Sequence, residues 1–64
     1  MKNYATITDR GELMYFTASC DTEANYICGG GMYKELGFEV LNRVKNVDEL
    51  HGVERELYKE LNNL

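Results

Sequence analysis

Cys20, Cys28 and His51 are the side chains in this sequence best suited to serve as a nucleophile with its base or as zinc ligands. A structural zinc site needs four such ligands, commonly in closely spaced pairs, and this trio has neither a fourth member nor the paired spacing. Cys20 and His51 as thiolate and base lack a third group to orient the imidazole, in a chain too short to enclose a deep dry pocket. Two cysteines are also too few for a disulfide framework, so both are expected reduced, as in a cytoplasmic protein. The residue types thus point away from catalysis: no enzyme activity, no cofactor and no metal site is expected.

Recognition is the better use of what remains. Gly29, Gly30 and Gly31 could offer backbone N–H groups to an anion or small ligand, although their spacing is neither a P-loop nor a dinucleotide fingerprint. The chain has five tyrosines and no tryptophan, so tyrosine is its natural hot-spot residue. On a continuous helix Tyr26 and Tyr33 would wall a shallow notch around Gly30, with Glu23 and Glu35 steering a basic partner. Tyr4 and Tyr15 would stand on a half-wet sheet face, a second candidate contact surface. The stretch from Gly29 to Val40, Gly-Gly-Gly-Met-Tyr-Lys-Glu-Leu-Gly-Phe-Glu-Val, resembles a fragment of the acyl-CoA N-acyltransferase pattern. It joins segments that are well separated in that family, and the chain is far too short for the complete acyltransferase fold.

Charge narrows the partner class. A net charge of −4 with seven scattered basic residues offers no concentrated phosphate-binding surface, so direct nucleic-acid binding is not expected and a protein partner is. No apolar run approaches the roughly 20 residues of a membrane span, so no membrane association is expected. Plentiful Asn, Lys, Glu and Tyr without Pro or Trp is similar to the composition of short accessory proteins of phages and mobile elements. That resemblance implies a host enzyme or defence factor as the target class.

These residues must be positioned by a single domain of 64 residues, a size at which the core alone is marginal and homodimer formation is a common remedy. Residues 2–8 and 13–19 alternate and are rich in β-formers, with Asp9, Arg10, Gly11 and Glu12 between them, which predicts a hairpin. Placing Ala5, Ile7, Met14, Phe16 and Ala18 on one face allows a two- or four-residue loop, since a three-residue loop mixes the faces, and the like charges of Asp9 and Glu12 favour the four-residue one. Ala24, Ile27, Cys28, Gly31, Met32 and Leu36 fit one amphipathic helix over 21–36, capped by Gly37 with positive φ. Against it, three interior glycines cost about 1 kcal/mol each relative to alanine, and the alternative makes Asn25 to Cys28 a short strand, the glycines a turn and Met32 to Leu36 a short helix. Residues 38–44 then alternate as a strand. Asn46 with Glu49 predicts a capping box opening a last helix, whose stripe is Val47, Leu50, Leu57, Leu61 and Leu64, with Val53 beside it.

The expected architecture is an α+β domain in the order β-β-α-β-α, a three-stranded mainly antiparallel sheet with two helices on one face. The expected function is a small acidic protein-binding module that occupies a larger protein and inhibits or modulates it. A small-ligand or anion binder at Gly29–Gly31 is the alternative, and a structural homodimer the second alternative.

Overall fold

Alternation places the hairpin correctly but not its register. In the computed structural model, which describes residues 1–63, the strands are β1 (Lys2–Ile7) and β2 (Leu13–Ala18). Tyr4 pairs with Phe16, Ala5 with Tyr15 and Ile7 with Leu13. The loop is Asp9-Arg10-Gly11, closed by Thr8 N–H donating to the Glu12 carbonyl at 2.8 Å and Gly11 N–H to the Thr8 carbonyl at 2.9 Å. Gly11, at φ +77°, supplies the left-handed residue that three-residue hairpin loops require.

This slip of one residue sends Ala5 and Ile7 to one face with Leu13 and Tyr15, and Tyr4 to the other with Met14, Phe16 and Ala18. Both faces are covered, so nothing compels the apolar residues onto a single side.

Helix α1 (Asp21–Ile27) covers the Tyr4 face, burying Ala24 against Tyr4, Phe16 and Ala18. The continuous helix expected over 21–36 does not form. Gly29 and Gly30, at φ +63° and +83°, end α1 in a Schellman motif. In it the Gly30 N–H donates to the Asn25 carbonyl at 3.0 Å and the Gly29 N–H to the Tyr26 carbonyl at 3.1 Å. Glycine is favoured at a left-handed stop and penalised inside a helix, so the same residues decide both outcomes. Freed from the helix, Tyr33–Leu36 forms β3 on the outer side of β1, pairing Tyr33 with Thr6 and Leu36 with Asn3. The buried Thr6 hydroxyl donates to the Met32 carbonyl and ties the glycine turn to β1.

Gly37 has no positive φ, because it leaves a strand rather than a helix. The strand expected over 38–44 shrinks to β4 (Arg43–Lys45), which pairs antiparallel with β2. The sheet is therefore four-stranded, in the order β3-β1-β2-β4, not three-stranded. Residues 37–42 must cross from one sheet edge to the other. Val40 holds this crossing down, packing on the core while its N–H donates to Asn3 Oδ1 at 3.4 Å.

The Asn46–Glu49 box forms, with the Glu49 carboxylate accepting from the Asn46 N–H at 3.2 Å, but it opens only a 3-10 turn over Val47–Glu49. Gly52, at φ +58°, interrupts the chain before α2 (Val53–Asn62) begins. Leu50, Leu57 and Leu61 are buried with Ala5, Leu13, Tyr15 and Leu36, on the face away from α1. The two helices thus lie on opposite faces rather than one, giving an α+β domain of three layers. Val47 is exposed, and Leu64 lies outside the described residues.

Leu61 is fully buried within the larger cluster. Leu61→Ala is expected to cost about 2–5 kcal/mol, comparable with the whole stability of so small a domain. Circular dichroism should show the cooperative melt lost or lowered by tens of degrees, and a melt matching the wild type would contradict this core.

Candidate functional site

The crossing at 37–42 and the first turn of α2 leave between them a groove of about 330 Å³. Phe38, Val40 and Leu41 wall it from the crossing, Val53 and Leu57 from α2, and Tyr15 forms part of its floor. Val40 and Leu57 are tied to the core, which leaves their neighbours outward. Phe38 is 51% exposed, Leu41 78% and Val53 72%, in a chain otherwise well supplied with surface charge. A second depression of about 220 Å³ continues from Phe38 towards Lys34 and Glu60.

Charged groups ring this apolar strip. Glu54 sits in the first turn of α2, where its carboxylate accepts from Tyr15 Oη at 2.5 Å and from Lys45 Nζ at 2.8 Å. That network joins β2, β4 and α2 with only partial exposure of the ion pair, so it fixes the groove's inner wall. Arg43 lies across from Tyr15 in the ladder and places its guanidinium 5.9 Å from the ring centroid, within cation–π reach. Arg43 and Glu39, both exposed at the groove, form no ion pair among the described residues.

The residues expected to bind are dispersed. Tyr4 is 0% and Tyr15 4% exposed, so neither stands on a wet face: each is core, because the hairpin's second face is also covered. Tyr4 stacks on Phe16 with centroids 5.4 Å apart and donates to Asp21 Oδ1 at 2.9 Å. Tyr33 packs edge-on to Tyr4 at 5.8 Å, and its hydroxyl donates to the Asp21 carbonyl at 3.3 Å. Tyr26 is 86% exposed on α1. With Tyr33 on a strand, the notch around Gly30 does not form.

Glu23 accepts from Ser19 Oγ at 2.5 Å, and Glu35 pairs with Lys2 at 3.7 Å on the β3 edge. The N–H groups of Gly29, Gly30 and Gly31 all donate to carbonyls of residues 25–28, which removes the donors an anion would need. Cys20 and Cys28 are free thiols, and among the described residues no three His, Cys, Asp or Glu side chains gather as a metal site. No helix among them is long and apolar enough to cross a membrane.

Sequence reasoning missed Phe38, Leu41 and Val53 by assigning them to a strand face or a stripe flank. The available signal was local. Leu41 falls on the charged face of the supposed strand, and Val53 stands off the leucine stripe. No protein-family model, curated protein or solved structure matches this chain.

The network under the groove has a pH signature. Lys45, then the Tyr15 hydroxyl, holds Glu54 below the usual carboxylate range. Burial, then the Glu54 carboxylate, pushes Tyr15 up, and burial followed by Asp21 pushes Tyr4 to about 12. Glu54 therefore contributes stability above the ordinary carboxylate pKa that is lost as pH falls through its lowered folded value. The tyrosines contribute stability that is complete below about pH 10 and is lost as pH rises through their raised values. Thermal melts should show a plateau between about pH 5 and 10 that falls on both sides, with Tyr15→Phe blunting the alkaline fall. A flat profile through about pH 12 would contradict burial of the two hydroxyls.

Proposed function

We propose that this chain is a protein-binding module whose contact surface is the groove between residues 37–42 and α2. The observation that carries this reading is the contiguous exposure of Phe38, Leu41 and Val53 around a formed cavity, since isolated surface apolar residues are ordinary and clustered ones at a concavity mark contact sites. A rigid aromatic anchor beside a hollow, rimmed by charge, is the arrangement in which a few residues carry most of a binding energy. So small a domain acts on a larger protein by covering part of it, which makes inhibition or modulation by occupancy the corresponding mode of action. The net charge of −4 favours a target patch that is apolar at its centre and basic around it.

Capture from source-cell lysate on immobilised variants tests the surface. A protein held by the wild type and by Tyr26→Ala, but about tenfold less by Phe38→Ala, is the expected result, equivalent to about 1.4 kcal/mol. Equal retention by all three, or loss confined to Tyr26→Ala, places binding elsewhere. Phe38 is half exposed, so its truncation should leave the melt nearly unchanged.

A further inference from the structure

The groove has the attributes of a surface that fits its own copy, and we propose that two copies of this chain associate through it about a twofold axis near Leu41. This rests on the groove's being a protein-contact surface, and it adds who occupies it in the absence of a target. Leu41, 78% exposed, stands at the middle of the 39–43 segment beside a hollow of about 330 Å³, so on a twofold axis at Leu41 the two copies' Leu41 side chains meet. An isologous pair sets one surface against itself, and an apolar side chain on the axis is compatible with its own copy.

Charge supplies the second observation. Glu39 and Arg43 flank Leu41 two residues to either side, both line the groove, and neither has an ion-pair partner among the described residues. A twofold axis through Leu41 sets Glu39 of one copy against Arg43 of the other, twice. Opposite charges so arranged fix register, whereas like charges in the same places would repel.

Strand addition at β4, the sheet edge next to the groove, fails the same check. The outer edge of β4 (Arg43–Lys45) is free to add a strand, but antiparallel pairing about Val44 brings Arg43 against Lys45 of the other copy at both ends. Basic residues on short edges are a known guard against such pairing. Self-association is therefore steered off the β4 edge, which borders the groove face.

The contact is small. A standard interface takes about 800 Å² from each partner, roughly a fifth of this chain's 4350 Å², so a contact centred on Leu41 and its few neighbours makes a weak dimer. Sedimentation should accordingly show the mass rising from 7.4 kDa towards twice that value between about 10 μM and 1 mM. Leu41→Glu should abolish the rise.

Charge reversal decides the geometry. Glu39→Arg alone sets Arg against Arg43, Arg43→Glu alone sets Glu against Glu39, and each should weaken the dimer at least fivefold. An equimolar mixture of the two variants restores both opposed pairs in the heterodimer and should recover the wild-type mass. A variant that merely failed to fold could not be rescued this way. A chain monomeric up to about 1 mM, a dimer indifferent to Leu41→Glu, or a mixture without recovery would each overturn the proposal. Continued capture of a target by such a monomer would leave the binding function standing, whereas dimers that capture nothing would remove the function and keep the self-contact.

Discussion

The hairpin register is the constraint on which the rest depends. With Tyr4 opposite Phe16 and Ala5 opposite Tyr15, each face of the two central strands carries buried apolar side chains. Neither face can be left to water, so one helix must cover each. The chain thereby builds two modest clusters, one around Tyr4 and Phe16 and one around Leu50, Leu57 and Leu61, instead of a single thick core. Polar ties reinforce both layers: Tyr4 to Asp21 holds the start of α1, and the Tyr15–Glu54–Lys45 network holds the start of α2.

Much of this was legible in the residues, and what was not has identifiable causes. The hairpin, the Asn46–Glu49 box and the burial of Leu50, Leu57 and Leu61 follow from period and capping chemistry. Register did not follow, because the argument for it assumed one dry and one wet face, and with both faces dry the alternation loses its polarity. The fate of Met32–Leu36 turned on magnitude. Three glycines at about 1 kcal/mol each outweigh an apolar periodicity that a short strand satisfies nearly as well. Treating Gly29 as the end of a helix frees Met32–Leu36 from it, but what makes these residues a strand and not a second short helix is pairing with β1, a long-range property.

The candidate groove was less legible than the fold, for a related reason. Its walls come from a crossing that exists only because β3 and β4 occupy opposite edges of the sheet. Phe38 and Leu41 acquire their exposure from that topology and from the anchoring of Val40, neither of which is a local property. Tyrosine count, by contrast, pointed towards contact surfaces, and the structure puts Tyr4 and Tyr15 inside. Buried tyrosines with a carboxylate acceptor are good core residues, so abundance of a hot-spot residue type says little until its second face is known.

The order of the layers along the chain bears on how the protein emerges from the ribosome. β1, β2, α1 and β3 are complete by Leu36, and with them the cluster around Tyr4 and Phe16. The opposite face of those strands, with Ala5, Leu13 and Leu36, waits for Leu50 and α2, which come last. If the N-terminal layers form first, the chain passes through a stage with a sheet bare on one side. Such a stage exposes apolar surface until Leu50 and α2 close over it, and is where a chaperone or a neighbouring copy would meet this protein.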